Sequence, residues 1–201
     1  MPPSSADSAA RRLVLGSTSV YRRELLSRLR LPFSVEPPHV DETPRAGEAP
    51  AELARRLAAA KAAAVADLHP DAIVIGSDQV ADLDGEPLGK PGNHENAVAQ
   101  LRRMRGRTVI FQTALTVLCR ATGFAQHDLA PVRVRFRPLD DDEIEAYLRA
   151  EQPYDCAGSA RSEGAGIALL DAIESDDPTA LIGLPLIRTC RMLRAAGLRV
   201  F

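Results

Sequence analysis

Residues 13–29 read Leu13-Val14-Leu15-Gly16-Ser17-Thr18-Ser19-Val20-Tyr21-Arg22-Arg23-Glu24-Leu25-Leu26-Ser27-Arg28-Leu29. The first four residues form an apolar run that reads as a buried strand. Ser17, Thr18 and Ser19 make a hydroxyl-rich turn. Tyr21, Leu25, Leu26 and Leu29 then recur at helical spacing. Strand, turn and helix in this order are the unit of an α/β chain. Ala72-Ile73-Val74-Ile75-Gly76 repeats the buried-strand signal and is expected to end at Ser77-Asp78-Gln79.

Outward from these two strands the pattern continues. Residues 50–68 are Ala-rich, with Leu53, Leu57 and Val65 on one side, and predict a long helix. Asp84-Gly85 signals a tight turn, hence a hairpin over 80–88. Asn93 predicts the cap of a helix that turns Ala97, Leu101 and Met104 inward. Residues 108–119 are β-rich, Ala121-Thr122-Gly123 reverses the chain, and Val132, Val134 and Phe136 alternate with Arg133, Arg135 and Arg137. Asp140 and Glu143 make a capping box for the helix carrying Ile144, Tyr147 and Leu148. Residues 154–170 are rich in Gly and Ser, with little regular pattern. Pro185 opens a last helix that Gly197 closes. The β-rich middle has room for antiparallel strands, so the sheet is expected to be mixed.

Composition narrows the functional classes. The 201 residues carry a formal charge of −2 and are 45% hydrophobic, 26% charged and 4% aromatic, without Trp. No global basic field attracts a nucleic acid polymer or an anionic membrane, and stacking platforms for single strands are scarce. Cys119, Cys156 and Cys190 show no CxxC spacing, and the four histidines show no HxxxH pair, which argues against a structural zinc and fits a reducing cytoplasm. No apolar run reaches the length of a membrane span. Residues 1–11 read as a disordered tail and 12–201 as one domain.

Ligands in α/β folds collect beyond the carboxyl ends of strands. Ser17, Ser19, Arg22 and Arg23 stand at such an end and at a helix start, a setting that suits phosphate; a capped helix with surface arginines is the plainer alternative. Asp78 is expected at the second strand end, placed to hold a metal or orient a water, or simply to cap a turn. Of 25 basic residues only Lys61 and Lys90 are lysines. Their survival in an arginine-rich chain hints that an ammonium is wanted at each place; solvated surface lysines are the alternative. Asp41-Glu42 could bring a second carboxylate to a metal, or could be turn acids beside Pro44.

Taken in order, Leu15-Gly16-Ser17-Thr18-Ser19 with Arg22-Arg23, Asp41-Glu42-Thr43, Lys61, Gly76-Ser77-Asp78-Gln79-Val80, Gly89-Lys90-Pro91, Cys156-Ala157-Gly158-Ser159, Ser162-Glu163-Gly164 and Gly183-Leu184-Pro185 resemble the Maf family of nucleoside triphosphate pyrophosphatases. They look most like its bacterial branch that acts on 7-methyl-GTP, although that branch typically carries Trp where this chain has Tyr21. The resemblance implies a mixed, twisted sheet flanked by helices, with two lobes around a central cleft. It implies hydrolysis between the α- and β-phosphates to a nucleoside monophosphate and pyrophosphate, with Mg²⁺ or Mn²⁺. It also implies a cytoplasmic homodimer whose partner molecule is a nucleoside triphosphate. Asp78 matches the proton acceptor and, with Glu42, a metal-facing carboxylate. Lys61 and Lys90 join it as catalytic cations, and Ser17, Arg22 and Arg23 as phosphate-binding groups. Tyr21, Gln79 and Glu163 match positions tied to substrate choice. The dTTP/UTP-specific branch and a nucleotide-binding regulator of septum formation are the alternatives.

Overall fold

The computed structural model describes residues 11–201. The tail expected over residues 1–11 lies outside the described residues except for Arg11. The elements in chain order are β1 (Leu13–Gly16), α1 (Val20–Ser27), β2 (Phe33–Glu36), α2 (Pro50–Leu68), β3 (Ile73–Leu83), β4 (Glu86–Leu88), α3 (His94–Met104), β5 (Thr108–Cys119), β6 (Phe124–Phe136), α4 (Asp141–Glu151), β7 (Leu170–Glu174) and α5 (Leu186–Ala195). The strands form one seven-stranded sheet in the order β2-β1-β3-β5-β6-β7, with β4 also paired to β3. β1 runs parallel to β2 and β3, and the remaining pairs are antiparallel. The expected mixed α/β fold is what the chain forms.

Local chemistry explains the boundaries. Asn93 Oδ1 accepts from Asn96 N at 2.9 Å and starts α3. Asp140 and Glu143 exchange backbone contacts of 2.8 and 3.1 Å in the capping box of α4. α2 begins at Pro50, whose missing N–H costs nothing in the first helical turn. Gly197, at φ +89°, lies just past α5, as expected.

β3 differs from the expectation. It does not end at Gly76 but runs on to Leu83, so Asp78 sits inside the strand. The reason is β5, which pairs with β3 from Val74↔Leu118 to Asp82↔Ile110 and supplies a ladder across the polar residues. Along the other edge, β1 stops at Gly16↔Gly76 and β4 begins at Ala81↔Leu88. Over 77–80, β3 is therefore laddered to β5 alone. Asp78 nonetheless lies past the end of the parallel neighbour β1.

Apolar packing follows the same division. Leu13, Leu15, Leu25, Leu26, Ile73 and Ile75 pack with Leu193 in one cluster. Ala81, Leu83, Leu101, Phe111, Phe136 and Ile144 belong to another. Between them Ser77, Asp78, Gln112, Thr113 and Thr116 form a buried polar band across β3 and β5. Buried polar groups are costly unless partnered, so such a band marks where the fold invests in chemistry.

Candidate active site

The band gathers charge because α2 lies directly on β3. A Cβ on Gly76 would stand 2.4 Å from Ala58 O and 2.5 Å from Ala62 N, closer than any side chain tolerates. Glycine at 76 thus lets the helix backbone approach the strand and turns Lys61 inward. Lys61 is 5% exposed, not a solvated helix lysine. Its Nζ donates to Asp78 Oδ1 at 2.7 Å and lies 2.9 Å from Glu42 Oε1. Burial pushes the Asp78 carboxyl above its ordinary value, against the pull of Lys61 and Arg22.

Glu42 comes from a loop fastened to α2. Arg56 Nε and NH2 grip Glu48 at 2.5 and 2.8 Å, and NH2 also donates to Thr43 O at 3.1 Å. Asp41 accepts from Thr43 N at 2.9 Å and so does the turn work. Glu42 is left to reach Lys61. The two adjacent acids thus divide the roles that the sequence left open.

From the other side, α1 starts beyond β1. Ser19 caps it by accepting from Arg22 N at 3.4 Å. Ser17 Oγ accepts from Ser19 N at 3.1 Å, and Arg22 NH1 lies 3.5 Å from it. Arg22 Nε donates to Gly183 O at 2.9 Å. Burial draws the Arg22 guanidinium below its ordinary value, and Asp78 and Glu42 partly offset this. Ser77 Oγ lies 2.8 Å from Ala114 O and 2.9 Å from Gly183 O, two carbonyls that share its one proton. Ser17, Arg22, Glu42, Lys61 and Asp78 thus meet in one polar cluster. Arg23 and Lys90 stand exposed, and among the described residues no side chain pairs with theirs.

A second group surrounds Tyr21. The Arg161 guanidinium carbon lies 5.3 Å from the Tyr21 ring centroid. Arg161 Nε is 3.5 Å from Glu163 Oε1, and NH1 is 3.6 Å from Glu151 Oε2. The Arg161 Nε–H is buried, and among the described residues none accepts a hydrogen bond from it. Cys156 Sγ lies 3.9 Å from the Tyr21 hydroxyl. Burial, reinforced by Cys156, pushes Tyr21 up to about 12, and burial pushes Cys156 up to about 12. Both stay protonated. Sequence reasoning singled out Tyr21 and Glu163, and quoted Cys156 in a motif, but missed Arg161, because one arginine among many carries no signal. Gln79 contacts neither group: it faces the 180–181 turn, as described below.

Two carboxylates, Glu42 and Asp78, converge on Lys61 Nζ. Among the described residues no three His, Cys, Asp or Glu side chains form a metal cage. A two-carboxylate set suits a hard divalent cation that takes its remaining ligands from phosphate oxygens and water. A separate cavity of about 380 Å³ lies at the start of β1, lined by residues that include Arg11, Phe33 and Arg199, and contains none of the candidate residues. No helix among the described residues is long and apolar enough to cross a membrane.

The chain is similar to known proteins over most of its length. A family model described as "Maf-like protein" matches residues 12–196. A protein named 7-methyl-GTP pyrophosphatase from Albidiferax ferrireducens is 70% identical over 190 residues, covering 94% of this chain and 96% of its own. One of the same name from a Polaromonas species is 70% identical over 192 residues, 96% of this chain and 88% of its own. A third, from Cupriavidus metallidurans, is 60% identical over 189 residues, 94% and 95% respectively.

Proposed function

The chain belongs to the Maf family, and from that premise we propose that it is a nucleoside triphosphate pyrophosphatase acting on 7-methyl-GTP. Water attacks the α-phosphorus, the bond from that phosphorus to the α–β bridging oxygen breaks, and pyrophosphate leaves. The products are 7-methyl-GMP, pyrophosphate and a proton. Relatives named for this activity, 58–70% identical to the chain, support this. The observation that carries it is the buried Lys61 ammonium between Asp78 and Glu42.

Each group has a task. Lys61 holds Asp78 Oδ1, which leaves Oδ2 to take the proton of the attacking water. Burial raises the basicity of Asp78 above that of a surface aspartate, as proton acceptance requires. Arg22 and Ser17, at the start of α1, meet the phosphate chain with a cation and a hydroxyl. Arg23 and Lys90 have free side chains that can turn to the leaving pyrophosphate. Glu42 and Asp78 would hold a Mg²⁺ or Mn²⁺ ion, which when bound neutralises phosphate charge. A cytoplasmic homodimer is the form expected from the family resemblance.

The base end is consistent with a 7-methylated guanine, which carries delocalised positive charge. Arg161 already occupies the Tyr21 face as a planar cation, with Glu163 and Glu151 near its nitrogens. Cation–π attraction of this kind contributes roughly 0.5–2 kcal/mol. The methylated base has the same features: a flat cationic ring with N–H donors along one edge. Its docking on that face displaces Arg161. Kinetics on Glu163→Gln, Tyr21→Ala and Arg161→Ala test this. Glu163→Gln should narrow the preference for 7-methyl-GTP over GTP, Tyr21→Ala should weaken the methylated nucleotide more than GTP, and Arg161→Ala should lower KM. A preference unchanged in the first two variants would remove this account of the base.

A further inference from the structure

Gln79 is tied to the turn at residues 180–183, whose last carbonyl also receives Arg22. It follows Asp78 in β3 and therefore points to the opposite face of the sheet. Its Nε2 lies 2.9 Å from Thr113 Oγ1, 3.0 Å from Ala180 O and 2.9 Å from Leu181 O. Two of these partners are backbone carbonyls, which only accept. The third, Thr113 Oγ1, donates its proton to Ala180 O at 2.9 Å and so can only accept from Gln79. The two Nε2 protons are shared among these three acceptors, which admits a single orientation of the amide, with nitrogen toward them and oxygen away. The reversed amide would set Oε1 against three lone-pair groups. Among the described residues, none donates to Gln79 Oε1.

Thr113 is fully buried on β5, opposite Gln79 in the ladder. The carbonyls are presented by the turn at residues 180–182, which Gly183 closes at φ +116°. Gly183 O in turn receives Arg22 and Ser77. One short turn therefore orients Gln79 and Arg22 together.

We propose that Thr113 is a positioning residue: with the carbonyls of Ala180 and Leu181 it locks the Gln79 amide so that it meets the nucleotide as a hydrogen-bond acceptor only. This rests on the polar band being the nucleotide site. The ligand group it selects is an N–H or O–H donor. On a 7-methylguanine nucleotide the candidates are the ring N1–H, the exocyclic amine and the ribose hydroxyls. A bare carbonyl or ring-nitrogen lone pair in the same place is rejected.

The test uses the full chain and whichever nucleotide the wild type hydrolyses fastest. Thr113→Val keeps the β-branched shape and removes both functions of the hydroxyl. KM should rise about three- to tenfold, the scale of one neutral hydrogen bond, with kcat within about twofold of wild type. Thr113→Ser should restore KM. A folded Thr113→Val with wild-type KM, a loss confined to kcat, or no recovery in Thr113→Ser would each overturn the proposal. Thr113→Ala removes the same hydroxyl with less bulk should the valine variant not fold. An activity-free readout separates this proposal from the functional reading. The Gln79 side-chain N–H protons should be protected from exchange in the wild type, and the one given to Thr113 should lose that protection in Thr113→Val. Loss of protection in a protein that hydrolyses no nucleotide would remove the pyrophosphatase reading and leave the lock standing. Equal exchange in the two proteins would remove the lock.

Discussion

At the scale of single residues the site is a problem in buried charge. Lys61 and Asp78 are both almost fully covered, and taking one partner from a buried pair strands the other. The net balance leaves Asp78 harder to ionise than a surface aspartate, whose ordinary value is 3.8. Asp78 must be ionised to accept a proton, so activity is present above its raised pKa and is lost as pH falls through it. The acid limb of kcat/KM should therefore lie higher than an ordinary aspartate would place it. Asp78→Asn should lower kcat by about 10²–10⁴, the scale of a lost general base, and remove that limb while nucleotide still binds. Near-normal turnover in a folded Asp78→Asn protein would show that the proton goes elsewhere. Asp78 and Lys61 could be singled out from sequence because one follows an apolar run and the other is a rare residue type. Arg161 and Thr113 could not, since their roles exist only once distant segments meet.

Among the elements, the loop between β2 and α2 decides whether Glu42 reaches Lys61. Its clamp is the Arg56–Glu48 pair. The hydrogen bonds from Arg56 hold the Glu48 carboxyl down at about 2, against an ordinary 4.5. A depressed carboxylate pKa gives stability that is complete above the unfolded value and disappears as pH falls through the folded one. Wild type should thus melt above Glu48→Gln at neutral pH, with the gap closing between about pH 4.5 and 2. Thermal melts across that range check it, and a gap constant with pH would assign the difference to something other than this carboxylate. The elements themselves were unevenly legible. α2, α3, α4 and α5 carry caps and periodicity that local physics reads. β2 is four residues at the sheet edge with no fully buried position, and β7 is five residues with none either; short edge strands have no alternation strong enough to see. The second half of β3 is hidden in the sequence because Ser77, Asp78 and Gln79 look like a loop until β5 supplies their ladder.

For the whole molecule, one sheet carries two large apolar clusters and two smaller ones under α2, with a polar band between the large pair. α2 covers one side of that band, and the 180–183 turn holds both Gln79 and Arg22; we propose that Asp78 and Arg22 serve the phosphates and Gln79 the nucleoside. Alternation along an apolar and polar sequence made the mixed α/β class legible, but the band itself emerges only from register. We propose that this arrangement cuts a methylated guanosine triphosphate between its first two phosphates. The most direct measurement is kcat/KM for 7-methyl-GTP, GTP, dTTP and UTP with the wild-type protein and a divalent metal, together with identification of the products. The expected result is the highest value for 7-methyl-GTP, with equal amounts of 7-methyl-GMP and pyrophosphate. Higher values for dTTP or UTP, or release of orthophosphate and a diphosphate, would contradict it.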